Sequence, residues 1–68
     1  MRGVIRTLKE KGFGFIRPDD VTMKDVFFHL SKVNGRKRFD ELKVGDVVEF
    51  DVETTERGIQ ASDVVFTE

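Results

Sequence analysis

The 68-residue sequence contains no cysteine, tryptophan or tyrosine, and only one proline and one histidine. Without cysteine the chain forms neither disulfide bonds nor thiolate metal sites, and His29 has no second histidine with which to hold a metal ion. Apolar runs are too short for a signal peptide or a membrane-spanning helix, so we expect a cytoplasmic protein with no membrane partner. Residues 1–68 should then form one small domain that depends on packing alone for its stability.

A recognisable set of catalytic residues is also missing. The sequence has no Ser, His and Asp spacing typical of a nucleophilic triad, and no Gly-rich phosphate loop before a helical segment. The paired carboxylates Asp19-Asp20 and Asp40-Glu41 lie in turn-like stretches, which suit solvent better than acid–base chemistry. We therefore expect no enzyme activity, no cofactor and no small-molecule substrate.

The aromatic residues that are present are all phenylalanine, seven in number. Two of them lie in the stretch KGFGFIR at residues 11–17. Side chains alternate between the two faces of a strand, so Phe13 and Phe15 share a face with Lys11 and Arg17. Burying that face would bury both cations while exposing Ile16, which favours surface positions for the rings over the alternative of core positions.

A second stretch, DVFFH at residues 25–29, shows the same alternation. Phe27 and His29 share one face, and Val26 and Phe28 point to the other. If the two strands are neighbours, three Phe rings and the imidazole form one patch surrounded by Lys and Arg. Such rings stack with unpaired bases while the cations follow the phosphates, so the patch predicts single-stranded nucleic-acid binding.

Two glycines, Gly12 and Gly14, alternate with the rings of the first stretch. A glycine within a strand packs nothing and usually marks a bulge or the close approach of a backbone or a ligand. Beside two exposed rings, we expect these glycines to leave room for the plane of a base.

Charge is distributed unevenly along the chain, although the formal net charge is only −1. Residues 1–39 hold ten Lys or Arg against four Asp or Glu, a balance of +6, whereas residues 40–68 hold two against nine, a balance of −7. The basic half is also the aromatic half, which favours a nucleic-acid ligand, although surface charge also serves simply to keep a small domain soluble. We expect the acidic strands to face away from the bound nucleic acid.

The rest of the chain is typical of an all-β domain. Strands are predicted at residues 2–8, 24–29 and 59–66, and around residues 48–53, where apolar and acidic residues alternate. Residues 18–20 predict a turn, and residues 30–33 predict a short helical turn followed by a polar connection.

The stretch KGFGFI at residues 11–16 resembles the first nucleic-acid-binding motif of cold-shock domains, and VFFHL at residues 26–30 resembles the second. Further similarity runs from Gly3-Val4-Ile5-Arg6 to the Arg57-Gly58 turn and so covers essentially the whole chain. The resemblance implies an all-β fold, a five-stranded antiparallel OB-fold barrel that is partly open. It also implies an RNA chaperone that binds single-stranded RNA or DNA with little sequence preference. The sequence leaves the oligomeric state open, and a monomer is expected by default for a closed barrel without unusual apolar excess.

The predicted nucleic-acid-binding residues combine stacking groups with supporting cations. They are Arg6, Lys11, Phe13, Phe15, Arg17, Phe27, His29, Leu30, Phe39 and Arg57. For two of them the sequence leaves alternatives open. Phe39 falls where the family has a loop aromatic that stacks a base, but it could instead pack on the barrel. Arg57 matches a ligand-contacting arginine of the family, but it could equally be a solvated loop cation.

The chain departs from the family pattern at three positions. Thr7 and Leu8 stand where cold-shock domains usually have Trp and then another aromatic residue, and Leu30 stands where they often have Phe. Stacking contributes on the order of 1–3 kcal/mol per base, so a missing ring should lower affinity by about one to two orders of magnitude.

Two other interpretations remain. An RNA-recognition motif uses similar aromatic strands, but it needs two helices and has its shorter motif first, the reverse of the order here. A barrel that has turned to protein partners would explain the missing Trp and the acidic second half, and its Phe patch would be an exposed apolar surface.

Overall fold

A computed structural model describes residues 1–35 and 37–67 as an all-β domain. The elements in chain order are the strands and 3-10 turns β1 (Arg2–Lys9), β2 (Phe13–Pro18), β3 (Val26–His29), a 3-10 turn (Leu30–Lys32), β4 (Val33–Asn34), a second 3-10 turn (Phe39–Glu41), β5 (Val47–Thr55) and β6 (Gly58–Phe66). Within these residues there is no α-helix, and no helix is long and apolar enough to cross a membrane.

The strands form one sheet that closes on itself. Their order is β3-β2-β1-β5-β6-β4, and β1 pairs antiparallel with both β2 and β5. A parallel pairing of β3 with β6, at Phe27 and Gln60, joins the two sides of the sheet. The five strands other than β4 confirm the predicted OB-fold barrel. The two-residue strand β4 is an addition, because Val33 and Asn34 pair with β6 inside the connection that the sequence presents as a polar loop.

The barrel core consists of alternate residues from its strands. The side chains of Ile5, Ile16, Phe28, Val48 and Val64 are fully buried. In both β2 and β3 the buried positions alternate with half-buried or exposed ones. The predicted separation of faces in β2 and β3, with Ile16 and Phe28 inside and Phe13, Phe15 and Phe27 on the outer face, is therefore confirmed.

Two strands begin later than the sequence predicts. Strand β2 begins at Phe13, because Gly12 has a φ of +100° and its N–H closes a turn onto the Lys9 carbonyl at 3.0 Å. Lys11 therefore lies in this turn and not in the strand. Pro18 is the buried last residue of β2, not part of a turn, and β3 begins at Val26.

The turn after β2 is built on Asp20. Its Oδ1 accepts hydrogen bonds from the Thr22 hydroxyl at 2.6 Å and from the Thr22 backbone N–H at 2.9 Å. Hydrogen bonds from the Thr22 hydroxyl and then from its backbone N–H lower the pKa of the Asp20 carboxyl below its ordinary value. The charged form of Asp20 thus holds the turn closed at neutral pH.

The role predicted for Gly14 is wrong. A Cβ on Gly14 would collide with the Thr7 carbonyl oxygen of the neighbouring strand and would lie 2.9 Å from the Phe28 ring. A Cβ on Gly12 would collide with the Leu30 side chain. Gly14 permits close packing on the inner face of β2, so it makes no room for a base. Gly12 packs against the exposed Leu30, and its predicted role stays a prediction.

Candidate nucleic-acid interface

Three half-buried rings form a cluster on the outer face of β2 and β3, which we call the phenylalanine platform: Phe13, Phe15 and Phe27. Ring centroids are 5.6 Å apart for Phe13 and Phe27, 5.9 Å for Phe15 and Phe27, and 6.3 Å for Phe13 and Phe15. These spacings are those of edge-to-face and tilted aromatic pairs, which stabilise one another while leaving ring surface exposed.

The register of β2 and β3 accounts for this cluster. Phe15 lies directly opposite Phe27, and Phe13 lies directly opposite His29, so all four side chains project from one face. The sequence predicts this face from alternation alone, and the pairing brings together the two motifs that carry it.

His29 is held in a defined orientation by Ser31. The backbone N–H of Ser31 donates to Nδ1 at 3.1 Å, and the Ser31 hydroxyl lies 2.9 Å from the same atom. Because Nδ1 accepts a hydrogen bond from a backbone N–H, the proton of the neutral ring is on Nε2. The exposed imidazole therefore presents an N–H donor and a ring face beside Phe13.

An open groove continues from Phe27 to the hairpin between β5 and β6. Its lining includes Phe27, His29, Arg57 and Gln60. The pairing of Phe27 with Gln60 brings this hairpin to β3, and Arg57 at its turn is exposed. Glu56, in the turn of this hairpin, lines the same groove and adds a negative charge there. That the acidic strands themselves face away from the nucleic acid stays a prediction.

The other predicted cations occupy the two ends of the platform. Lys11 and Phe13 line one groove at the turn between β1 and β2. Arg17 is exposed on the outer face of β2, two residues beyond Phe15. Arg6 is exposed too, but its Nε lies 3.6 Å from a carboxylate oxygen of Asp25, which partly offsets its charge.

Leu30 and Phe39 line a third groove together with Lys37 and Arg38. Leu30 is 47% exposed. The half-buried Phe39 ring packs 5.8 Å from the ring of Phe28, whose side chain is on the opposite face of β3 from Phe27. The contact is the barrel packing that the sequence leaves open as an alternative for Phe39. Base stacking by Phe39 stays a prediction.

Two residues that line the groove have no signal in the sequence. Gln60 reaches the groove only because the barrel closes between β3 and β6, and Lys32 lines it from the first 3-10 turn. Ser31 could have been found from its position two residues after His29. Thr7 lies directly opposite Phe15, so the position where the family usually has Trp does adjoin the platform.

Ion pairs link the basic half of the chain to the acidic half. Three of the four in the described residues do so: Arg2 with Glu49 at 3.0 Å, Lys37 with Asp46 at 3.4 Å and Lys32 with Glu53 at 3.5 Å. Folding therefore cancels part of the charge asymmetry that the sequence displays. The pair of Lys32 and Glu53 lies beside the groove that Arg57 lines.

Known proteins resemble this chain over nearly its whole length. The family model described as 'Cold-shock' DNA-binding domain matches residues 1–67. The major cold shock protein of Micrococcus luteus is 46% identical over 55 residues, which cover 81% of this chain and 79% of that protein. Cold shock-like protein CspG of Escherichia coli is 41% identical over 66 residues, which cover 96% of this chain and 91% of that protein.

A solved structure shows the same fold. Drosophila Unr CSD456 superposes with a TM-score of 0.78 and 37% sequence identity, over 98% of this chain and 26% of that longer chain. Fold, motifs and sequence similarity thus agree, and the family in question comprises nucleic-acid-binding domains. The chain belongs to the cold-shock domain family.

Proposed function

We propose that this protein binds single-stranded RNA or DNA with little sequence preference, as a monomer in the cytoplasm. The observation that carries the proposal is the phenylalanine platform with His29 and Arg57 beside it. Three ring faces, one oriented N–H donor and unpaired cations at the margins suit bases that stack and phosphates that pass along the edge. A duplex hides its base faces, so the platform selects unpaired strands.

Binding of this kind supports an RNA-chaperone role. Local melting of a hairpin exposes bases, and a protein that stacks on them favours the open state by mass action. Loose, sequence-tolerant contacts allow rapid release, and the process needs no nucleotide hydrolysis. Each step uses only the aromatic and basic side chains of the interface.

The test is binding of a dye-labelled, unstructured oligonucleotide, uracil-rich and thymine-rich in parallel, to wild type and to the Phe13→Ala, Phe27→Ala double variant. The label belongs on the nucleic acid because the chain has no Trp or Tyr. The variant should lose about a hundredfold in affinity, since two stacking contacts are removed. Wild type should also lower the melting temperature of a weak RNA hairpin.

A matched control replaces the same two residues with leucine. Leucine keeps most of the apolar volume but has no ring, so the Phe13→Leu, Phe27→Leu variant should also bind weakly. Far-ultraviolet circular dichroism establishes that each variant is folded. Leucine variants that bind as tightly as wild type would contradict stacking as the mechanism.

The second candidate function is docking of a protein partner. Thr7 opposite Phe15 and Glu56 beside Arg57 favour it, because one removes a ring from the interface and the other adds negative charge. Wild type that is folded but binds no oligonucleotide would support this candidate and overturn the first.

A further inference from the structure

A separate groove lies beyond the phenylalanine platform, between β1, β2 and the segment that leads into β5. We call it the valine groove, and its volume is about 470 Å³. Its lining includes Val4, Arg6, Arg17, Asp19, Val21 and Val44. The sequence analysis predicts Arg6 and Arg17 as binding residues, but it predicts neither this cavity nor the valines that line it.

The apolar wall is unusually exposed for so small a domain. Val21 is 91% exposed, Val44 is 63% exposed and Val4 is 37% exposed. Exposed aliphatic residues grouped in one concavity, with polar groups at the margin, are typical of a binding surface. A pocket of this size is large enough for one nucleotide.

The charges at the margin favour an anionic group. Arg6 and Arg17 both line the groove, against the single carboxylate of Asp19. Arg6 also lies 3.6 Å from Asp25, so Arg17 is the cation with the freer charge. Guanidinium groups bind phosphate through paired N–H donors, which makes a phosphate the fitting anion.

The valine groove lies next to the platform along β1 and β2. Phe15 and Arg17 are two residues apart on the outer face of β2, about 7 Å along a strand. On β1, Thr7 lies opposite Phe15 and Val4 lies opposite Arg17. A single strand that stacks on Phe15 would therefore reach the groove with its next nucleotide.

We propose that the valine groove holds one additional nucleotide at one end of the strand that the platform binds. Arg17, assisted by Arg6, contacts its phosphate, and Val4, Val21 and Val44 pack against its sugar and base. The proposal rests on the proposed function, and it extends the footprint by one nucleotide beyond the aromatic residues.

Oligonucleotide length tests the proposal. Uracil-rich oligonucleotides are lengthened one nucleotide at a time from either end, and dissociation constants are measured for each. At one end only, the added nucleotide that reaches the valine groove should tighten binding about fivefold, which is less than an aromatic contact would give. Val44→Glu should abolish that gain while leaving shorter oligonucleotides unaffected.

A second variant should act in the opposite direction. Asp19→Asn removes the carboxylate from the groove and should tighten binding of the longer oligonucleotide about two- to threefold, the scale of one exposed charge interaction. Asp51→Asn makes the same charge change at an exposed site outside the groove and serves as the control. Equal effects of the two substitutions would contradict the proposal.

Methyl NMR reports on the groove directly. The methyl resonances of Val21 and Val44 should shift with the longer oligonucleotide but not with the shorter one, while those of Val65, outside the groove, stay unchanged. If both oligonucleotides bind and neither moves Val21 or Val44, the proposed function stands and this inference fails. If these methyls respond only to an acidic, leucine-rich peptide, the groove serves a protein partner and the inference is also overturned.

Discussion

Thr7 is a clear departure from the family pattern within the candidate interface. It lies opposite Phe15 on the platform, where cold-shock domains usually have Trp. We predict that Thr7→Trp tightens binding of a uracil-rich oligonucleotide about tenfold, because a fourth ring adds a stacking surface. The new indole also provides intrinsic fluorescence that should be quenched on binding.

Thr7→Leu separates the effect of a ring from that of added apolar volume. The leucine variant should bind within about twofold of wild type, because aliphatic groups replace water without stacking bases. If Thr7→Trp binds no more tightly than Thr7→Leu, the position does not belong to the stacking surface.

The hydrogen-bonded carboxylate of Asp20 leads to a prediction about its pKa and about stability at low pH. The Thr22 hydroxyl and the Thr22 backbone N–H lower the folded-state pKa of Asp20. Asp20 therefore stabilises the fold at pH values above its ordinary, unfolded-state pKa of 3.8. This contribution disappears as the pH falls through the folded-state pKa. In Thr22→Val the hydroxyl is lost, and the Asp20 pKa should rise toward its ordinary value. Titration of the carboxyl carbon by NMR measures this directly, and an identical pKa in both proteins would contradict the assignment of the turn.

For single residues, the sequence predicts the position of a side chain where that position depends on one strand alone. The outer-face positions of Phe13, Phe15 and Phe27 follow from alternation, because each side chain's face is fixed by its own strand. The contact of Phe39 with Phe28 does not follow, since it joins a loop to the barrel core. Likewise, the sequence does not predict which groups pack against a glycine, because those groups belong to other elements of the fold.

Gly14 of β2 has no room for a side chain, because a Cβ there would collide with the Thr7 carbonyl oxygen of β1. We predict that Gly14→Ala lowers the free energy of unfolding by about 3 kcal/mol, because the added methyl must displace the Thr7 carbonyl or the Phe28 ring. Urea denaturation followed by circular dichroism gives this value. In a domain whose total stability is of the order of 5 kcal/mol, the variant would keep about 2 kcal/mol and remain folded, with a clearly lower urea midpoint.

Gly45→Ala is the comparison for this substitution. A Cβ on Gly45 meets nothing within 4 Å, so the variant loses stability only through its φ of +101°, about 1–2 kcal/mol. Equal losses in the two variants would mean that the close contact of β1 with β2 does not constrain Gly14.

The elements themselves are predicted well where patterning is local. Strands β1 and β6 extend one residue beyond their predicted bounds, and the 3-10 turn at Leu30–Lys32 lies within the predicted helical turn. Strand β4 has no local signal, because Val33 and Asn34 are ordered by pairing with Val64 and Val65. A strand of two residues cannot be read from alternation.

For the molecule as a whole, the motifs identify the barrel, whereas periodicity indicates only an all-β chain. Closure depends on the pairing of Phe27 with Gln60, far apart in sequence. The charge asymmetry is real but overstated by the sequence, since Arg2, Lys32 and Lys37 are partnered with acids of the other half. Binding should consequently depend more on stacking than on net positive charge.

Salt dependence measures this balance. Within residues 1–35 and 37–67, the predicted site cations that take part in no ion pair are Lys11, Arg17 and Arg57. Three phosphate contacts predict a slope of about −2 when the logarithm of the association constant is plotted against that of salt concentration, at about −0.7 per contact for a single strand.

Two variants then separate the contributions. Arg57→Gln should make the slope shallower by about 0.7, because one counterion fewer is released, whereas Phe27→Ala should weaken binding equally at every salt concentration and leave the slope unchanged. A wild-type slope of about −5 or steeper would mean that phosphate contacts dominate. In that case cations outside the platform would have to supply most of the affinity, and the phenylalanine platform would serve mainly to exclude paired bases.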